Sequence, residues 1–347
     1  MIAQILQELR RDDAFETVHW PFYFSRNLAT MRRVNFEKVA ELFRCLWRLL
    51  RIRLKGDVDL LIYPAGGPHL VPIIRDICLL PFARLVSRKL IIQFHAAGIA
   101  EKLKKPNPLL RILQSLMQSA DSAIVMTNYN RIDPESVGIR KIDILPIQIA
   151  DEFAAEFVQR QQPRLLYLGH LTPDKGTPSL LEAFGNIRRD YPDLRLELVG
   201  EPLVPYDWRT LERDVERFGI KSAVQLSGVL TGREKLRALG RASMFVFPTV
   251  APYESFGVVL LEAMMFGLPM VASDWRGNRD VLGEFGGVLF LPNEPLAVSI
   301  GRALRAALAE REKWPAWGKQ NRERFESVYA RSGTRSGYSA LVRSMVS

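Results

Sequence analysis

Residues 253–274, YESFGVVLLEAMMFGLPMVASD, leave this chain few folds to choose from. The apolar run before them, residues 243–248, reads as a buried strand. Polar residues 252–255 make a turn, 257–266 carry the period of a helix, Gly267-Leu268-Pro269 ends it, and 270–273 form a second short strand. Such a strand–turn–helix–strand unit belongs to an α/β domain. Glu254 lies in the turn and Glu262 eight positions on, a little over two helical turns later, on the side of the helix that faces the mouth of the turn. The turn suits an anion. Gly257 lets a ligand approach the backbone, and the N–H groups of Val258 and Val259 lie at the positive end of the helix dipole. Helix capping alone accounts for Glu254. It leaves Glu262 unexplained, because a carboxylate among Val, Leu, Ala and Met is costly to bury unless something binds it.

A chain of 347 residues with 48% hydrophobic and 25% charged residues is a soluble globular protein long enough for two domains. Cys45 and Cys78 sit in apolar helical contexts, which points to a reducing compartment without disulfides. His19, His69, His95 and His170 are scattered, so no metal site is expected. No uncharged apolar run reaches the roughly 18 residues of a membrane span. The N-terminus places its charges after its apolar residues, the wrong order for a secretory signal. Charge is uneven: residues 1–150 hold 22 Lys and Arg against 14 Asp and Glu, whereas 151–347 are nearly balanced. A basic half calls for an anionic partner. With no aromatic-basic motif or zinc finger, an anionic membrane surface matches better than nucleic acid, which is not expected.

Along the chain, residues 2–11 read as helix and 15–24 as a strand-like run. Residues 36–55 are a patterned helix with an apolar stripe of Phe36, Val39, Phe43, Leu46, Trp47, Leu50 and Leu54, and with Lys38, Arg44, Arg48, Arg51, Arg53 and Lys55 mostly off it. The stripe is either a packing face with a solvated basic side or a membrane-interface face led by Phe43 and Trp47. Strands at 59–63, 89–94, 122–126 and 141–145 alternate with helices at 71–86 and 109–119. Ligands of such parallel sheets bind at the C-terminal strand ends, where His95 follows its strand. Residues 151–163 read as a linker. A second series has strands at 164–168, 194–199, 223–226, 243–247, 270–273 and 287–290, with helices at 208–218, 232–239 and 296–310. Two Rossmann-like domains with a cleft between them are the economical architecture.

Residues 169–176, GHLTPDKG, follow the first strand of the second series. Thr177 is a good N-cap and Pro178 a good first helical residue. Lys175 then stands beside a helix N-terminus, a poor place for a cation unless an anion sits between. Both this loop and the 254–259 turn lie at C-terminal strand ends of one sheet, so one anion could serve both. No G-x-G-x-x-G follows a strand, which argues against a dinucleotide oxidoreductase.

The run LGHLTPDKG at 168–176, with ESFGVVLLE at 254–262 and the AMMFGLPMVA after it, resembles the family 4 retaining glycosyltransferases of the GT-B fold, specifically over about 160–295. The resemblance implies two parallel Rossmann-like sheets facing a central cleft. It divides the chain into an acceptor domain over 1–155, a nucleotide-sugar donor domain over 160–325 and a C-terminal helix, 326–347, returning to the first domain. It assigns Glu254 to the donor sugar hydroxyls, Glu262 to the ribose hydroxyls, and Lys175 with the Val258 and Val259 amides to the diphosphate. His95 would face the reacting sugar, Gly169, His170, Phe256 and Gly257 would line the donor site, and Val229 and Pro248 would wall the base. The expected activity is metal-independent, retaining hexosyl transfer. A UDP- or GDP-linked sugar would go to a glycan or lipid-linked acceptor in surface polysaccharide or glycolipid assembly, in the cytoplasm at the inner membrane face. Three departures stand out. His170 occupies the place of an arginine, Ile147-Gln148 replaces an Asn-Gly, and the first strand with its Gly-rich loop is expected to be absent. These leave a catalytically impaired sugar-nucleotide-binding or partner-binding relative as the alternative.

Overall fold

The computed structural model describes residues 6, 9–10, 14–19, 36–56, 58–105, 107–158, 162–331 and 337–346. The chain divides into two compact units. One is built from Met1–Ile147 with Ser332–Ser347, the other from Gln148–Arg331.

In the first unit α1 (Phe36–Lys55) leads to β1 (Val58–Ala65), α2 (Leu70–Val86) and β2 (Ser87–Phe94). The short α3 (Ile99–Leu103), α4 (Pro108–Met117), β3 (Ser122–Val125), α5 (Ile132–Ser136) and β4 (Ile142–Ile144) follow. The four strands lie in sequence order and pair in parallel. β2 is buried over its last five residues and β3 throughout, as expected of strands covered on both faces. Helix starts follow local chemistry. The Asn107 side chain accepts from Leu109 N, and Pro108 takes a first-turn position where its missing N–H costs nothing. The C-terminal end of β1 is tied down by Asp76, almost fully buried, which accepts from Tyr63 Oη and Gly66 N at 2.7 Å each and from Arg75 Nε at 2.8 Å.

The second unit runs through β5 (Arg164–Leu168), α6 (Thr177–Ile187), β6 (Arg195–Val199), α7 (Trp208–Arg217), β7 (Val224–Gly228) and α8 (Gly232–Arg241). It continues through β8 (Met244–Phe247), α9 (Val258–Met265), β9 (Met270–Ser273), α10 (Asn278–Leu282), β10 (Gly287–Phe290), α11 (Leu296–Ala309) and α12 (Trp314–Arg324). Its six strands are all parallel in the order β10-β9-β8-β5-β6-β7. The chain builds outward from β5 in one direction, then returns to β8 and builds outward in the other. That is the doubly wound order, with its switch point between β5 and β8. Leu165, Tyr167, Leu180, Phe184, Leu196, Leu198, Val246 and Ile300 form one apolar core on the sheet.

The last helix, α13 (Gly337–Val346), belongs to the first unit. Tyr338, Leu341 and Val342 pack on Ile91 of β2 and Ile124 of β3, and Gln93 Nε2 donates to Tyr338 Oη at 2.6 Å.

Three readings of local structure change, and one lies outside the described residues. Residues 15–19, expected in a strand-like run, have no strand pairing, and the rest of that run lies outside the described residues. The expected loss of a first strand and Gly-rich loop also falls on residues 1–35, of which most are not described. Residues 151–158 are no free linker. Asp151 pairs with Arg322, Phe153 meets Phe266 edge-on at 5.4 Å, and Phe157 is buried. Thr177 is the first residue of α6 and fully buried, and the cap position falls to Gly176 at φ +84°. Only glycine fits there, since a Cβ would lie 2.4 Å from Pro248 O.

The same logic holds at Gly200, which follows β6 at φ +146°. A Cβ there would sit 1.8 Å from the Gly169 carbonyl oxygen. Gly200→Ala should therefore push the 169–176 loop off the sheet and destabilise the second unit by about 2–4 kcal/mol. Urea unfolding followed by circular dichroism would show this as a lower midpoint.

Candidate functional site

β5 and β8 are neighbours in the sheet although β6, β7 and three helices separate them in sequence. Their C-terminal ends release the 169–176 loop and the 248–257 turn into the crevice where ligands of doubly wound sheets bind. The two segments are laced together. Val250 N donates to Asp174 O at 2.8 Å, Tyr253 Oη donates to Asp174 Oδ2 at 2.6 Å, and Gly176 lies against Pro248. From the next strand end, Trp275 Nε1 donates to Ala251 O at 2.8 Å and Ser273 Oγ to Thr249 O at 2.6 Å.

This lacing brings Lys175 Nζ into a direct ion pair with Glu254 Oε2, both side chains largely withdrawn from water. Thr249 Oγ1 donates to the same carboxylate oxygen at 3.3 Å. The ammonium also stands 5.7 Å from the Tyr253 ring centre. The anion that a lysine beside a helix start requires is thus Glu254 itself. Asp174 is held below the usual carboxylate range. Burial pushes its pKa up, but hydrogen bonds from Thr172 and Tyr253 and the charge of Lys175 outweigh it.

Glu262 projects from α9 two turns beyond the turn. Its Oε1 meets Lys235 Nζ of α8 at 2.7 Å, both side chains partly buried. The pair answers what the sequence left open, since a carboxylate amid apolar neighbours is tolerable once a cation meets it. Lys235 escapes sequence reasoning because the partners stand 27 positions apart with a strand between them.

Val258 and Val259 are the first two residues of α9, whose N–H groups have no carbonyl one turn back to bond. Gly257 precedes them at φ −77°, ψ 85°. Its missing side chain makes room for Phe247, whose Cε1 lies 2.9 Å from where a Cβ would be. Phe256 is buried edge-on against Tyr329. Gly169 adopts φ +144° at the end of β5, and the carbonyl of half-buried His170 accepts from Tyr167 Oη at 2.7 Å. Val229 is exposed beyond β7.

His95 belongs to the first unit, just past β2. Both ring nitrogens are out of solvent. Burial, with the charge of Arg75 adding, pushes its pKa down to about 4, so the imidazole is neutral at pH 7. Asp133, nearly fully buried, fixes the loop after it by accepting from Gly98 N at 2.9 Å and Ala100 N at 2.7 Å. Among the described residues no group of three or more His, Cys, Asp or Glu side chains comes together. No helix among them is long and apolar enough to cross a membrane.

Residues 148–324 match the sequence profile of "Glycosyl transferases group 1", which covers half of the chain. The phosphatidyl-myo-inositol mannosyltransferase of Propionibacterium freudenreichii subsp. shermanii is 30% identical over 230 residues, 63% of this chain and 54% of that protein. A glycogen synthase of Mycobacterium tuberculosis is 30% identical over 178 residues, 51% of this chain and 41% of the synthase. The chain thus matches about half the length of these relatives. In fold it is similar to the sucrose-phosphate synthase of Thermosynechococcus elongatus, with a TM-score of 0.73 at 19% identity over 90% of this chain and 80% of that one. It is likewise similar to HepE of Anabaena in complex with UDP, with a TM-score of 0.72 at 16% identity over 88% and 82%. With a GT-B fold and half its length matched by the profile, the chain belongs to the glycosyl transferases group 1 family.

Proposed function

We propose that the protein is a retaining glycosyltransferase that moves a sugar from a UDP- or GDP-linked donor to a glycan or lipid-linked acceptor in surface polysaccharide or glycolipid assembly. The observation that carries this reading is the Lys175–Glu254 pair at the switch point beside the start of α9, with Glu262 two turns further on. Breaking the bond between the anomeric carbon and the diphosphate leaves the electron pair on the diphosphate. The ammonium of Lys175 and the amides of Val258 and Val259 are the groups that stabilise this charge, and preorganised donors of that kind are worth about 3–4 kcal/mol each. In this reading Glu254, displaced from Lys175 by the diphosphate, accepts from donor sugar hydroxyls, and Glu262 accepts from the ribose. For His95, neutral at pH 7, we propose a hydrogen-bonding rather than a cationic role toward the reacting sugar. A lysine and backbone amides can perform the charge stabilisation without a divalent ion. The UDP bound to HepE supports a nucleotide-linked donor, and the similarity to a phosphatidyl-myo-inositol mannosyltransferase supports a lipid-linked acceptor.

Incubation with UDP-, GDP- and ADP-sugars should release nucleotide in the presence of an acceptor. Glu254→Ala and Lys175→Ala should each lower that rate by about 10²–10³-fold. Binding of the sugar nucleotide without release would point instead to a non-catalytic relative.

Lys235→Met should raise the donor KM by about tenfold and leave kcat within about threefold, because it disturbs a ground-state contact of Glu262 away from the reacting bond. Steady-state kinetics with varied donor separates the two.

The neutral His95 has a consequence for pH. Its folded pKa of about 4 lies below the ordinary value of 6.5, so between these limits the unfolded chain binds the extra proton. Stability is therefore fully present above pH 6.5 and declines as pH falls toward 4, by up to about 3 kcal/mol. In His95→Gln, urea midpoints measured from pH 7 to 4.5 should fall less steeply than in the parent.

A further inference from the structure

The helix α1 packs on the first unit through a face the sequence pattern does not single out. Cys45 is fully buried and Glu41 and Leu49 nearly so, with Leu42, Leu46 and Ile52 beside them. Of the expected apolar stripe Leu46 lies beside that face, while five other members point away from it. Val39 is 39% exposed, Phe43 66%, Trp47 54%, Leu50 42% and Leu54 86%. At 3.6 residues per turn these five fall within roughly a quarter of the helix circumference and run about 22 Å along its axis. Contiguous exposed apolar surface of that kind marks an interaction site.

The charge on the same helix selects the occupant. Its sequence holds six Lys and Arg against two Glu. Arg44, Arg48 and Arg51 fall in one row along one edge of the stripe by helical spacing. Arg44 is exposed and reaches back to nearly buried Glu41 at 2.7 Å, an i,i+3 pair. Arg51 lies over the Trp47 ring, 3.6 Å from its centre, with its charge at the edge of the stripe. Long basic side chains beside an aromatic-led apolar face are the pattern of a helix lying in a lipid interface, with rings among the acyl boundary and guanidinium groups among the phosphates. A second copy of the chain is a poor match, because a two-fold contact through this face would bring the same arginine row against itself.

We propose that α1 docks this protein on an anionic bilayer surface, with Phe43, Trp47 and Leu54 entering the interface and Arg44, Arg48 and Arg51 contacting lipid phosphates. The proposal deepens the reading that the acceptor is lipid-linked. It stands on the first unit alone, so its test does not depend on sugar transfer.

The test is flotation of the full chain with phosphatidylcholine vesicles that contain or lack phosphatidylglycerol. The parent should bind the anionic vesicles about tenfold or more tighter than the neutral ones, and high salt should weaken that binding. Phe43→Ser with Trp47→Ser, and separately Arg44→Glu with Arg51→Glu, should each weaken it by about tenfold or more. Phe43 and Trp47 lie on the exposed side, so that variant should melt as the parent does. Arg44→Glu also removes the partner of nearly buried Glu41 and should lower the melting midpoint, so flotation of both variants is read below their midpoints. Equal flotation of parent and variants, or no flotation of the parent on anionic vesicles, overturns the proposal. So does a concentration-dependent dimer in sedimentation that the Phe43→Ser/Trp47→Ser variant abolishes, which would assign the face to a second copy. In each of those cases the donor site would stand or fall by nucleotide release alone.

Discussion

An ammonium and a carboxylate that start 79 residues apart meet where β5 and β8 run side by side, and the rest of the second unit is arranged so that they can. Neither Lys175 nor Glu254 could be withdrawn from water alone, since an unpaired charge with that little exposure costs several kcal/mol. Each supplies the other's counter-ion in the resting protein. The backbone makes the meeting possible. Gly176 takes a left-handed conformation against Pro248, Asp174 accepts from Val250 and Tyr253, and Trp275 anchors the turn from a third strand end. A site built this way is preformed. In the proposed reaction an incoming diphosphate would exchange one anion for another at a cation already desolvated, with the amides at the start of α9 as further donors to it.

A second pair repeats the device at lower burial. Glu262 meets Lys235 of α8, so the two acidic residues of the 254–262 segment both rest against lysines. The same economy governs the first unit, where Asp76 gathers a tyrosine hydroxyl, a backbone amide and a guanidinium at the end of β1, and Asp133 holds the loop behind His95. In both units the C-terminal strand ends are held by buried carboxylates, which satisfy the backbone and side-chain donors that sharp loops leave open.

What the sequence revealed depended on how local the physics was. Strands β5 and β8–β10 and helices α9 and α11 follow from apolar runs, period and Gly-Pro stops, all of which act within a few residues. Lys175 and Glu254 could be assigned to one sheet end because each follows its own strand. Lys235 could not, because nothing short-range ties it to Glu262. The α1 stripe shows the limit of periodicity. The helix has apolar residues on two adjoining faces, and the pattern says that a face is apolar without saying which one meets the core. Packing chose the face around Cys45 and Leu49, and left Phe43 and Trp47 outside. Thr177 misled for a related reason: its cap position was taken by Gly176, because the loop had to pass under Pro248.

The account turns on the exchange of Glu254 for a diphosphate at Lys175, and calorimetric titration of a nucleoside diphosphate into four proteins measures it most directly. The four are the parent, Lys175→Ala, Glu254→Ala and the double variant. The account predicts that loss of the ammonium weakens binding by about tenfold or more, as expected for a charge-assisted contact to phosphate. Loss of Glu254, a competitor for that ammonium and a ligand only of the missing sugar, should leave the affinity unchanged or tighten it, and the double variant should bind like Lys175→Ala. A Lys175→Ala protein that binds the diphosphate as tightly as the parent would contradict it.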